Sequence, residues 1–81
     1  MGERFFIFGR SSCPFCVMAV DLCKASSREH IFMDYSDNTD ILEDYKQFYS
    51  QTTVPIILRN CLTSGETFKV GGYTDLLEHL K

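Results

Sequence analysis

The tetrapeptide Cys13-Pro14-Phe15-Cys16 constrains this chain most, because of what flanks it. Before it, Arg4 to Phe8 is a short apolar, aromatic run closed by Gly9-Arg10-Ser11-Ser12, the pattern of a buried strand bounded by turn residues. After it, Pro14 suits the first turn of a helix, where a missing N–H costs nothing, and Ala19, Val20 and Cys23 continue one face from Cys16. The helix is expected to end near Ser26. A cysteine pair is therefore held where a strand stops and a helix begins.

The remaining segments extend this unit. His30 to Tyr35 predicts a second strand, and Ser36-Asp37-Asn38-Thr39 supplies turn and cap residues. Ile41, Leu42, Tyr45, Phe48 and Tyr49 form an amphipathic stripe for a second helix, with Asp40 and Glu43 spaced as a capping pair. Val54 to Leu58 reads as a strand with Pro55 near its start. Ser64-Gly65 is a turn between strands at Ile56 to Arg59 and Thr67 to Val70, and Gly71-Gly72 breaks the last strand before a helix at Thr74 to Leu80. The order is β-α-β-α-β-β-α. It predicts an α/β fold in which the first two strands run parallel through a right-handed crossover and a hairpin adds antiparallel edges.

With 81 residues, one domain over 1–81 is expected, since independent cores claim on the order of 100 residues. The 7 Phe and 4 Tyr supply a core, each ring burying roughly 150 to 250 Å². A net charge of -3 with scattered Lys and Arg argues against nucleic-acid binding. Charge of the other sign does cluster: Asp34, Asp37, Asp40, Glu43 and Asp44 form either a solvated helix entrance or a bias on protein partners. No run is apolar enough for a membrane span, and Met1-Gly2-Glu3-Arg4 lacks the features of a cleavable signal. Gly2 does not make a myristoylation signal, because Phe6 stands where Ser or Thr is required. A cytoplasmic location is expected. In a reducing compartment, four cysteines, which allow three disulfide patterns, need not be staples, and a C-x-x-C pair there is catalytic or a metal ligand pair.

The chemistry follows from the position of Cys13. Unpaired N–H groups and the partial positive charge of a helix N-terminus stabilise a thiolate, and in such motifs the thiol pKa falls from about 8.5 into a range of about 3.5 to 7.5. Arg10, three residues earlier, adds a cation. Cys16 lies on the same helical side one turn deeper, so Cys13 is expected to attack a disulfide and Cys16 to resolve the resulting mixed disulfide. Zinc normally takes four ligands, and Cys23, Cys61, His30 and His79 offer neither a second C-x-x-C nor a His pair at helical spacing. No metal site is expected. Cys23 falls on the apolar face as a buried thiol, and Cys61 falls in the hairpin loop, an oxidisable spectator.

Two further segments bear on a ligand. A Pro opening a strand, as in Thr53-Val54-Pro55, is either an ordinary trans edge proline or a cis turn that faces backbone groups outward for a peptide to bind. Gly71-Gly72-Tyr73-Thr74-Asp75 is a glycine turn feeding a helix, read either as a simple cap or as a site for a small zwitterion whose ammonium meets Asp75.

In this order and at this length, the run Ile7-Phe8-Gly9-Arg10-Ser11-Ser12-Cys13-Pro14-Phe15-Cys16, the Thr53-Val54-Pro55 tripeptide and the Gly71-Gly72-Tyr73-Thr74-Asp75-Leu76 segment resemble the small bacterial and phage-type dithiol glutaredoxins over nearly the whole chain. The resemblance implies a thioredoxin-like fold, a four-stranded mixed sheet with three helices, and glutathione as co-substrate with no tightly bound cofactor. By that likeness Thr53 and Val54 would pair with the cysteinyl backbone of glutathione, Pro55 would be cis, and Thr74 and Asp75, next to Gly72, would hold the γ-glutamyl end. Arg10 and Gln51 would face the glycine carboxylate, and Phe15 and Tyr73 would flank the groove. Three departures stand out: Phe15 where Tyr is commonest, Ile56 where a polar residue often follows the proline, and a long hairpin from Arg59 to Lys69 that contains Cys61. They leave the chemistry intact and bear on partner specificity.

The implied activity is glutathione-dependent reduction of protein disulfides and of glutathione mixed disulfides by a monomer, with ribonucleotide reductase among the plausible recipients. Two alternatives stand beside it. One is an electron donor of the same shape reduced by thioredoxin reductase; the other is a non-enzymatic iron-sulfur carrier, against which Pro14 argues by stiffening the turn.

Overall fold

Burial alternates along the first strand, with Phe5 and Ile7 fully enclosed on one face and Phe8 on the other, as a strand between two layers requires. The computed structural model describes residues 2–81. Its elements are β1 (Glu3–Gly9), α1 (Pro14–Ala25), β2 (His30–Asp34), α2 (Thr39–Phe48), β3 (Ile56–Cys61), β4 (Thr67–Gly71) and α3 (Tyr73–His79). The four strands form one mixed sheet in the order β2-β1-β3-β4. β1 and β2 are parallel, with Phe5 opposite His30, while β3 runs antiparallel to both β1 and β4. This is the β-α-β-α-β-β-α order and the thioredoxin-like architecture that the sequence predicts.

The sheet separates two apolar clusters. Phe5, Ile7, Ala19, Cys23, Ile57 and Leu76 pack where α1 and α3 cover one face. Phe8, Leu42, Ile56 and Leu58 pack on the other face under α2. There Phe8 stacks on Tyr45 with ring centroids 4.5 Å apart, in the offset geometry that aromatic pairs prefer. Cys23 is a core residue, and burial pushes its thiol pKa up.

Several boundaries move for identifiable reasons. β3 starts at Ile56 rather than Val54, because Pro55 has no N–H to give to a ladder. It also runs on to Cys61, which lies opposite Glu3, so Cys61 closes a strand instead of sitting in the hairpin loop. α2 is capped from Asn38, whose carbonyl accepts the Ile41 N–H at 3.1 Å. Asp40 and Glu43 therefore lie inside the helix and make no capping pair; Glu43 instead pairs with Lys46 at 2.7 Å. β4 extends through Gly71, which still pairs with Ile57, and α3 begins at Tyr73. β2 ends one residue early at Asp34, although the Tyr35 N–H still donates to the Gly9 carbonyl at 2.8 Å.

Candidate functional site

Cys13 stands at the N-cap of α1, its backbone N–H given to the Arg10 carbonyl at 3.1 Å, with Pro14 opening the helix. Its carbonyl accepts the N–H groups of Cys16 and Val17, so the turn is closed by the helix itself. Ahead of it, the loop is tied to the end of β2. The Ser11 N–H donates to the Asp34 carboxylate at 3.2 Å, and the Ser36 N–H and hydroxyl donate to the same oxygen. These bonds hold the Asp34 carboxyl below its usual range.

The two sulfurs meet different surroundings. Burial pushes the Cys13 thiol up, but the Cys16 side chain, the backbone N–H groups of Cys16 and Phe15, and the Arg10 charge outweigh it, so its pKa is lowered. Cys16 is fully enclosed, and burial is the main reason its pKa is pushed up to about 12. The outer sulfur thus favours thiolate and the inner one thiol, the division of labour that thiol–disulfide exchange requires. Gly9 makes room for the inner sulfur: a Cβ there would overlap Cys16 Sγ.

Beside Cys13 runs a groove of about 700 Å³. The Val54–Pro55 peptide is cis, and the Cys13 thiol faces the Val54 carbonyl at 3.9 Å. Thr53, Val54 and Pro55 form one wall, and Gly72, Tyr73, Thr74 and Asp75 form the other. Phe15, 55% exposed, lies at the rim with its ring centroid 6.2 Å from that of Tyr73. Asp75 reaches back to accept the Gly72 N–H at 2.9 Å, which fixes the start of α3. Gly71 has φ +125°, and a Cβ on it would collide with the Asp75 carboxylate.

Most residues named from the sequence therefore meet in one place. Gln51 lines the groove, but its amide nitrogen donates to the Thr53 carbonyl at 3.0 Å and the Pro55 carbonyl at 2.7 Å, bracing the proline turn from beneath. Arg10 is exposed and acts electrostatically on the thiols, while the groove is lined by other residues. Lys69, on β4, lines the groove and was not legible as a site residue, because only the β3–β4 pairing carries it there. Gly9 was legible only as a turn. Among the described residues, no group of three or more His, Cys, Asp and Glu side chains is placed to hold a metal ion. No helix among them is long and apolar enough to cross a membrane.

Comparison with known proteins agrees with this geometry. The family model Glutaredoxin matches residues 5–60, more than half of the chain. The solution structure of reduced Escherichia coli glutaredoxin is 31% identical, with TM-score 0.68 over 95% of this chain and 92% of that one. Wheat glutaredoxin is 26% identical, with TM-score 0.72 over 91% of this chain and 67% of that one. A buckwheat glutaredoxin–glutathione complex, 20% identical, shares the fold with TM-score 0.70 over 94% of this chain and 66% of that one. None of the curated proteins compared with the chain matches it. A redox-active cysteine pair at the head of α1 on a thioredoxin-like sheet, matched by family and by fold, places this chain in the glutaredoxin family.

Proposed function

We propose that this protein is a glutathione-dependent thiol–disulfide oxidoreductase in which Cys13 is the nucleophile and Cys16 the resolving thiol. The observation that carries the proposal is the pairing of a Cys13 sulfur biased toward thiolate with a ligand-sized groove that opens beside it. With a protein disulfide, the Cys13 thiolate attacks one sulfur, forms a mixed disulfide and expels the other as a thiolate. Cys16 then gives up its proton and attacks Cys13 Sγ, leaving the Cys13–Cys16 disulfide and a reduced target. Two glutathione thiols return the two electrons and leave as glutathione disulfide.

With a glutathionylated target, the Cys13 thiolate attacks the glutathione sulfur and releases the target thiol. A second glutathione thiolate clears the enzyme, so Cys16 is not required. Glutathione would lie across the groove, with its cysteinyl backbone on Thr53 and Val54 beside Pro55 and its γ-glutamyl end at Gly72, Thr74 and Asp75. Phe15 and Tyr73 would close the sides. The buckwheat protein in its glutathione complex shares this fold, which supports the reading. Ribonucleotide reductase is among the disulfide-bearing recipients that the family suggests, and a cytoplasmic monomer suits that role.

The test compares electron sources. Reduction of a disulfide substrate should run with glutathione and glutathione reductase and stall with thioredoxin reductase and NADPH. The reverse outcome overturns the glutathione reading in favour of a thioredoxin-reductase-dependent donor.

A further inference from the structure

The ladder between β1 and β2 ends at the Gly9–Asp34 pair. Between Gly9 and Cys13 lie only Arg10, Ser11 and Ser12, which belong to no strand or helix, yet both sulfurs depend on them. The Arg10 carbonyl accepts the Cys13 N–H at 3.1 Å, closing a turn. The Arg10 N–H meets the Cys16 sulfur, and the Arg10 charge favours thiolate at both cysteines. Wherever this turn sits, it carries those three groups with it.

A side chain from β2 fixes it. Asp34 Oδ1 accepts the Ser11 N–H at 3.2 Å, and the Ser36 N–H and hydroxyl donate to the same oxygen and hold it in place. Ser36 Oγ is a second acceptor, 3.3 Å from the Ser11 nitrogen, and lies 3.2 Å from the Ser11 hydroxyl. One step back, the Tyr35 N–H donates to the Gly9 carbonyl at 2.8 Å, so sheet pairing is already complete before Ser11 is reached. The charge of Asp34 is not what acts on the nucleophile. The groups that favour the Cys13 thiolate are Cys16, Phe15 and Arg10, and a second anion nearby would oppose it.

We infer that Asp34 is a positioning residue of the reaction, which holds the Arg10–Cys13 turn in register with both sulfurs by accepting the Ser11 N–H. This rests on the reading of Cys13 as the nucleophile and adds to it a residue outside the groove, from the end of β2. The acceptor oxygen matters and the negative charge does not.

The test is the pH profile of alkylation by iodoacetamide, followed by peptide mapping. Asp34→Ala combined with Ser36→Ala removes both acceptors and should raise the Cys13 midpoint. In the same variant, kcat/KM on a mixed-disulfide peptide at neutral pH should fall about threefold, the low end for a hydrogen bond because this one is exposed. Asp34→Asn keeps an acceptor oxygen without the charge and should match the intact protein in both readouts. Cys61, at the far end of β3, should keep its own midpoint and Cys23 its protection, which reports folding within each sample. If the double variant melts out, Asp34→Ala alone, with Ser36 still in place, should give a smaller shift in the same direction. A folded double variant with an unmoved Cys13 midpoint, or Asp34→Asn shifted as far as the double variant, would overturn the role of Asp34. An intact protein whose Cys13 alkylates no more readily than an ordinary thiol would instead overturn the reading of Cys13, and the inference with it.

Discussion

Only two residues separate Cys13 from Cys16, yet one sulfur meets backbone N–H groups and solvent while the other is sealed against the end of β1. The expected consequence is graded reactivity. With iodoacetamide, Cys13 should be modified at a lower pH than an ordinary thiol and Cys16 only as the pH approaches about 12. Arg10→Gln should move the Cys13 midpoint upward, since it removes the positive charge that adds to the hydrogen bonds favouring thiolate. Cys61 makes an independent prediction. Hydrogen bonds from the Ser64 and Thr63 hydroxyls and N–H groups bring its pKa down to about 6. Peptide mapping after brief alkylation at neutral pH should therefore find Cys13 and Cys61 modified and the buried Cys16 and Cys23 spared. Because the folded state favours the Cys61 thiolate, the stability it contributes is full above pH 9.0 and is lost as pH falls through about 6.

At the scale of elements, two glycines set how closely the pieces approach. Gly9 ends β1 against Cys16, and Gly71 ends β4 against Asp75 with a positive φ. Gly71→Ala should cost about 1 to 3 kcal/mol, through left-handed backbone strain and a forced shift of the carboxylate that caps α3. For a domain of this size each kcal/mol lowers Tm by roughly 4 to 8 °C, which a thermal melt resolves. The elements themselves were legible in the sequence, because a short continuous apolar run from Phe5 to Phe8, bounded by turn residues, contrasts with the helical spacing of apolar residues in Ile41 to Tyr49. What was not legible depends on partners distant in the chain. The start of β3 waits on which Pro55 neighbour first finds a ladder, and the place of Lys69 depends on a β3–β4 register interrupted at Ile57/Leu58. Gln51 could be seen as polar and near the proline, but only the fold reveals that both its donors point back at the turn.

Across the whole molecule, the sheet holds its two cores on opposite faces and gathers the site at one end of the strands. The opposite end is tied by Glu3. Its half-buried carboxylate meets Arg28 at 3.5 Å, Arg59 at 3.2 Å and His79 at 3.6 Å, joining β1, the β2 approach, β3 and α3. Glu3→Gln should lower stability by about 1 kcal/mol, as partly exposed pairs do, and should do so less at high salt. Because Glu3 lies at the start of β1, away from the cysteines at its end, turnover at temperatures below the melt should be unchanged. The separation of anchor and site explains how so short a chain can carry chemistry: one end is fixed so that the other can stay open.

The most direct test of the central claim is the reduction of a glutathionylated peptide by Cys13→Ser and Cys16→Ser with glutathione as reductant. The account predicts that Cys13→Ser is inactive, while Cys16→Ser keeps substantial activity and accumulates glutathione on Cys13. Activity retained by Cys13→Ser, or adduct found on Cys61 instead of Cys13, would contradict it.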